Sequence, residues 1–328
     1  MILSRAPTRI SLGGGGTDLK SYYSKHGGFI IAGAINKYCN ILATKRFFDS
    51  IRLSYSQMEV RDRVSDIEHG IFRATLEFMG IEKGIELHST ADVPANCGLG
   101  TSSSFTVALL NALHTYNRDI VTQRQLAEEA CHIEIDILGE PIGKQDQYMA
   151  VFGGLTCLTF HKNGDVLVEP LRISLDTLEQ LESNTLLFFT GKQRIASEIL
   201  SEQDEKCEQD DSEMIQNLDQ IKEIGLETRR YLEKGQVDML GELFHVHWGI
   251  KKRRSRKMSD PSIDEYYEVA RKNGAAGGKL VGAGGGGFLM LYCENHSKPK
   301  LAEAMQKISL RRERFHFDLD GTKIMINA

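Results

Sequence analysis

The chain has 328 residues, of which 41% are apolar and 26% charged. That balance supports a buried core, excludes the low-hydrophobicity signature of disorder, and at this length leaves room for two lobes with a cleft between them. The formal net charge of -5 argues against a general nucleic-acid or anionic-membrane partner, which demands excess Lys and Arg, and no apolar run approaches the ~20 residues of a membrane-spanning helix.

Residues 1–12 alternate loosely and end at Leu12 before Gly13–Gly16. Phe29–Ile35 and Tyr38–Ala43 are further β-rich stretches, so a first sheet is expected. Ile85–Ser89 reads as another strand. After Pro94 and a glycine loop, Ser102–Tyr116 places Phe105, Ala108, Leu109, Ala112 and Leu113 at helical spacing. Thr122 followed by Gln125 forms a capping box, and the helix it opens runs to about Leu138. Leu155–Phe160 predicts a hairpin turning at Asn163-Gly164-Asp165, with the first lobe closing near residue 180. Further on, 211–234 and 237–257 carry helical periodicity, and Asp260-Pro261 starts a third helix that ends at Gly274. Strands over 288–293, 314–318 and 322–326, around a short helix near Leu301, give the second lobe a small antiparallel sheet. The six cysteines, Cys39, Cys97, Cys131, Cys157, Cys207 and Cys293, show no CxxC pair, and the first residues carry no apolar leader. Free thiols in a reducing cytoplasm are expected.

The strongest chemical signal is Ala91 to Ser104, a glycine loop running into a helix N-terminus. Glycines let backbone N–H groups approach an anion, the helix end adds unpaired donors, and Thr101, Ser102 and Ser103 add hydroxyls for oxygen or metal. A plain serine-capped helix is the simpler alternative. Neither a G-x-x-x-x-G-K-[ST] loop nor a G-x-G-x-x-G after the first strand is present. Two further glycine clusters, Gly13–Gly16 and Gly282 with Gly284–Gly287, favour a ligand shared by all three.

Glu134 falls in line with Ala127, Ala130, Cys131 and Leu138, at the edge of an apolar stripe, where a buried carboxylate needs a metal ion or an internal arginine. A structural ion pair serves equally well. Asp146, in Pro141 to Tyr148, reads as a solvated loop aspartate unless it lies near the cradle, where it can accept the proton of an attacking hydroxyl beside Arg9. Lys251 to Lys257 is most simply the solvated end of a helix, and its functional alternative is contact with a second phosphate. His245 and His247, two apart, point to different helix faces and do not form a metal pair.

Arg5 to Asp18 (RAPTRISLGGGGTD), Val93 to Ser104 (VPANCGLGTSSS) and Lys279 to Met290 (KLVGAGGGGFLM) resemble, in order, the motifs of the GHMP kinase superfamily. The GGGTD start and the GKQDQY segment are most similar to its bacterial heptose-phosphate kinase branch. The resemblance implies an α+β fold: an N-terminal α/β lobe over 1–180 and a ferredoxin-like C-terminal lobe over 181–328, with ATP and a sugar between them. Pro94, Asn96, Cys97, Gly98, Leu99, Gly100, Thr101, Ser102 and Ser103 would form the ATP cradle. Ser102 and Glu134 would bind Mg²⁺, Asp146 would be the catalytic base, and Arg9 would stabilise it or the developing charge. Thr-Ser-Ser-Ser replaces the Ser-Ser-Ala of many relatives, so the metal-binding hydroxyl stays open between Ser102 and its neighbours. Gly16, Thr17, Asp18, Tyr148 and Gly285 would lie on the substrate side. The implied reaction carries the γ-phosphoryl group to a hydroxyl of a sugar or sugar phosphate, the anomeric one of heptose 7-phosphate in that branch. A kinase of another, galactose- or fucose-like sugar, a diphosphomevalonate-type decarboxylase and a non-catalytic sugar- or ATP-binding regulator of the same fold are the rival readings, and a homodimer is left open.

Overall fold

The computed structural model describes residues 1–193 and 197–328. In chain order the first part comprises β1 (Ile2–Gly13), α1 (Lys20–His26), β2 (Gly28–Lys45), β3 (Ile51–Ser54), β4 (Met58–Arg61), α2 (Gly70–Phe78), β5 (Ile85–Ala91), α3 (Thr101–Asn117), α4 (Gln123–Cys131), α5 (Gln145–Phe152), β6 (Leu155–Phe160) and β7 (Val166–Pro170). The 18-residue β2 is the spine of the sheet. It pairs with β1 along one edge, and along the other with β6 through its first half and β5 through its second. Helices α2 to α5 cover one face, burying Leu109, Leu113, Leu126 and Tyr148 with Ala32, Ile41 and Leu87.

The stretches expected as separate strands at 29–35 and 38–43 are therefore one strand with a bulge. Its register with β1 slips between Pro7 and Thr8, leaving Asn36 and Lys37 unmatched opposite a residue that has no N–H to give. The slip reverses the faces of β1. Ile2 and Ala6 lie in the core under the helices, whereas Ile10 and Leu12 enter a second core. Arg9 and Ser11 consequently sit opposite Ile10 and Leu12, on the side where α3 and α5 begin.

The second part comprises α6 (Leu175–Asn184), β8 (Thr185–Phe189), α7 (Ser197–Glu208), α8 (Ser212–Glu233), α9 (Leu240–Lys252), α10 (Pro261–Lys272), β9 (Gly277–Leu280), β10 (Phe288–Tyr292), α11 (Lys298–Lys307), β11 (Arg311–Glu313) and β12 (Lys323–Asn327). The order β11-β8-β10-β9, all antiparallel, with helices after β8 and α11 before β11, is the ferredoxin-like arrangement. The ladder forms at 311–313 and not at the expected 314–318. There only Phe317 makes a single bridge, to Ile35.

The sheets divide between β7 and β8, near the expected boundary, but β12 crosses back to pair with β1. The C-terminal end thus belongs to the first sheet, a non-local pairing that no local pattern announces. The lobes also share their second core, in which Ile10, Leu12, Phe29 and Ile31 meet Ile221, Phe244, Met290 and Tyr292. All six cysteines are free and buried, and among the described residues no helix is long and apolar enough to cross a membrane.

Candidate active site

A cleft of about 300 Å³, within the range of small-molecule sites, opens where the lobes meet. Its floor is the start of α3. The N-cap is Gly100 at φ +76° with no side-chain cap, so the first-turn N–H groups, which lack intrahelical acceptors, lie at the cleft wall. The hydroxyls divide by direction. Thr101 Oγ1 donates to Pro94 O at 3.4 Å and Ser104 Oγ to Pro7 O at 2.7 Å, whereas exposed Ser102 has its Oγ 3.4 Å from Glu134 Oε1.

The glycines of the second and third motifs serve mainly each other. A Cβ on Gly98 would fall 2.5 Å from Val281 O, and one on Gly282 would fall 2.6 Å from Gly98 O. The two loops pack backbone against backbone, and Gly15, Gly16, Gly98, Gly100 and Gly282, drawn from all three clusters, line the one cleft as expected. Gly100 has another role: a Cβ there would meet Asp146 Oδ2 at 3.0 Å, so its absence lets the carboxylate lie against the head of α3.

Asp146 is not on a loop. It lies in the first turn of α5, gripped by Arg9 through Nε–Oδ1 at 2.8 Å and Nη2–Oδ2 at 2.6 Å. Such a two-point grip fixes the plane of the carboxylate. Arg9 Nη1 also donates to Gly98 O at 2.6 Å, tying base, arginine and glycine loop together.

The helix expected to reach Leu138 changes form on the way. α4 ends at Cys131 and His132–Ile137 continue as a π-helix, a widened turn that is frequent at functional sites. Glu134 sits on that turn, fully buried. It accepts from Gln147 Nε2 at 2.6 Å and Thr106 Oγ1 at 3.0 Å, yet it makes no ion pair among the described residues. Burial pushes its carboxyl up to about 7 against these hydrogen bonds. The structural ion-pair alternative is thereby removed. A carboxylate and a free hydroxyl facing a cleft suit a hard cation such as Mg²⁺, which takes few protein ligands and completes its shell with phosphate and water.

Asp18 completes the acidic lining. Its oxygens accept from the backbone N–H of Gly16 and of Gln145, each at 3.1 Å, and burial raises its pKa against those bonds. The same cleft holds three cations, two of them from the segment 251–257 that the sequence favours as a solvated helix end, with phosphate contact as its alternative. Lys251, Arg254 and Lys279 are 4%, 5% and 2% exposed, and all three line the cleft. Burial, then repulsion from Arg9 and Arg254, lowers Lys279 to about 7; burial, then repulsion from Lys279, drives Lys251 well below its ordinary value.

Asn96, Gly98, Gly100, Thr101, Ser102, Ser103, Glu134, Asp146, Arg9, Gly16 and Asp18 all line this cleft, as expected. Others do not. Cys97 and Leu99 are buried in the core shared by the lobes, and Pro94 serves through its carbonyl, which accepts from Cys97 and Thr101. Thr17 is buried and ties Gly14 O to Phe29. Tyr148 is a core residue, its hydroxyl on Glu128 and its ring stacked on Phe152. Gly285 spends its N–H on Met258 O. These corrections share one cause: motif membership fixes chain position, whereas alternation and helix phase decide which members reach the cleft.

Sequence reasoning missed Ser11, Gln145, His247 and Lys279, and for Lys251 and Arg254 it favoured a solvated helix end over the phosphate contact that was its alternative. Among the described residues Ser11 Oγ, Gln145 Nε2 and His247 Nδ1 are buried without a hydrogen-bond partner, and because these residues line the cleft a ligand can satisfy them. The signal existed. Leu240, Phe244, His247, Lys251 and Arg254 recur at three- and four-residue spacing, so the cations continue the buried stripe of α9.

A glycine-lined helix terminus, a carboxylate clamped by arginine beside it, and a buried acid suited to a metal define a phosphoryl-transfer site. Residues 69–154 match the GHMP kinases N terminal domain and residues 228–308 the GHMP kinases C terminal domain. A D-glycero-alpha-D-manno-heptose 7-phosphate kinase of Campylobacter jejuni is 31% identical over 334 residues, covering 98% of each chain. The galactokinase of Pyrococcus furiosus is 24% identical, with 93% of this chain and 92% of that one covered. Among solved structures, a D-glycero-D-manno-heptose 1-phosphate kinase from Bacteroides thetaiotaomicron superposes with a TM-score of 0.83 at 26% identity, each chain covered in full. The chain belongs to the GHMP kinases. It is a kinase, with ATP as the family's phosphoryl donor.

Proposed function

We propose that this kinase transfers the γ-phosphoryl group of ATP to the anomeric hydroxyl of D-glycero-D-manno-heptose 7-phosphate. The observation that carries the reading is Asp146, gripped by Arg9 and lying against Gly100 at the head of α3, where a proton acceptor must stand if the phosphates lie on the helix terminus. The relatives named for heptose phosphates, similar over essentially the whole chain, supply the acceptor.

In this reading Asn96, Gly98 and the first turn of α3 hold the phosphates, and Ser102 with Glu134 hold Mg²⁺. The ion, when bound, neutralises phosphate charge. Asp146 orients the sugar hydroxyl and takes its proton as the new O–P bond forms and the bond from Pγ to the bridging oxygen breaks, ADP leaving with that electron pair. Arg9 keeps the carboxylate plane fixed. Asp18, anchored by two backbone donors, accepts from sugar hydroxyls, and Ser11 and Gln145 offer the polar atoms that now lack partners. The test is ADP release over a panel of heptose 7-phosphate, heptose, galactose, fucose and mannose. Heptose 7-phosphate should give the highest kcat/KM. Preference for galactose or fucose would overturn the assignment of the acceptor.

A further inference from the structure

Three cations of the cleft have no role in the scheme above. Arg254 donates to Gly15 O, Gln203 Oε1 and Asn217 Oδ1, and Lys251 to Leu280 O and Gly282 O; among the described residues neither forms a salt bridge, although Asp18 attracts Arg254. The ammonium of Lys279 makes no hydrogen bond or ion pair among the described residues, although the side chain is almost wholly buried. His247 Nδ1 is likewise buried and unpartnered. Burying cations without a counter-ion is costly, and a fold indifferent to ligand would replace them with apolar side chains. Asp18 alone does not balance three cations, so the remaining counter-charge must come from a ligand, and a multiply charged one.

The position of the cluster says which. Arg254 is bonded to Gly15 O of the first glycine loop, beside Asp18 on the acceptor side of the cleft, and Lys251 reaches Gly282 O at the third glycine loop. Nucleotide phosphates already have the donors of α3 and the Glu134 end. We propose that Lys251, Arg254 and Lys279, with His247 at their edge, form the seat for the phosphate that the acceptor sugar already carries. This rests on the sugar-phosphate reading and extends it. The seat fixes the far end of the sugar so that the reacting hydroxyl reaches Asp146, and it excludes plain sugars because they leave the cations unneutralised.

The test compares heptose 7-phosphate with unphosphorylated heptose in the wild type and in Lys279→Met, Arg254→Gln and, as a control outside the cleft, Lys252→Met. The seat requires that Lys279→Met and Arg254→Gln each lower the ratio of kcat/KM for the two acceptors by about 30-fold or more, that the ATP KM hold steady, and that Lys252→Met change nothing. A second measurement needs no turnover: inorganic phosphate is titrated with the nucleotide end filled by a non-hydrolysable ATP analogue and Mg²⁺. Its affinity should fall in both cleft variants. Because Lys279→Met removes an unpaired buried charge, its Tm should rise.

A wild-type ratio near one overturns the sugar-phosphate reading itself. A high wild-type ratio that Lys279→Met leaves unchanged overturns the seat alone. Equal losses on both acceptors with a raised ATP KM would assign the cations to the γ-phosphoryl group instead. Equal losses with a lowered Tm would make Lys279 a structural residue.

Discussion

At the head of α3 one carboxylate, Glu134, is buried without a cation, whereas Lys251, Arg254 and Lys279 are buried without a salt bridge, in both cases among the described residues. Burial pushes Glu134 up to about 7 and Lys279 down to about 7, opposite shifts toward neutrality. A fold that served stability alone would pair these charges with one another or replace them. Keeping them apart makes each, in the proposed reading, a receptor for the opposite sign: a metal cation with its nucleotide at Glu134, an anionic group of the acceptor at the cations. Between them Arg9 and Asp146 pair with each other, so their charges are already satisfied.

The largest break in this picture should come at the meeting point. Asp146→Asn keeps the shape of the side chain and loses its basicity, so kcat should fall by about 10²- to 10⁴-fold while ATP binding, followed by fluorescence or calorimetry, persists. Turnover near the wild-type level would remove Asp146 from the proton-accepting role. Next in size is Glu134→Gln, which imitates the protonated acid. Titrating activity against Mg²⁺ should show an apparent requirement shifted upward and kcat down by about 100-fold, with no loss of Tm.

The pH dependence of stability, measured by denaturant titration without ligands, separates the two ends. Glu134 binds its proton in the fold up to about pH 7 and in the unfolded chain only to the ordinary carboxylate range near 4.5. Its contribution is therefore lost as pH rises through that window. Lys279 gives up its proton in the fold near 7 and in the unfolded chain near 10.5, so its contribution is regained as pH rises from 7 upward. Each term is on the order of a few kcal/mol. Glu134→Gln should flatten the acid limb and Lys279→Met the alkaline one; a profile unchanged by either would refute the comparison. The smallest effect is expected outside the cleft: Tyr148→Phe loses one hydrogen bond to Glu128, costing about 1 kcal/mol with kinetics unchanged. A large rise in the acceptor KM would restore Tyr148 to the substrate side.

Much of this was legible in the sequence because it is local. The loop before α3, the capping box at Thr122, the Pro at the start of α10 and the ordered motifs depend on neighbouring residues, and the fold follows from them. What was not legible depends on distant contacts. The return of β12 to β1 pairs opposite ends of the chain, and the bulge at Pro7 decides that Arg9 faces the cleft. The π-turn that carries Glu134 leaves the same residues in a helical pattern and changes only their phase. Lys251 and Arg254 looked like the solvated end of a helix because charge was weighed before periodicity. Their spacing after Phe244 and His247 was the better guide.

The most direct test is the structure of the product. Incubation of the wild-type protein with ATP, Mg²⁺ and heptose 7-phosphate, followed by phosphorus NMR, should show one new phosphate resonance coupled to the anomeric proton, in step with ADP, with the 7-phosphate retained. A new phosphate on any other hydroxyl, or inorganic phosphate as the sole new species, would contradict the account.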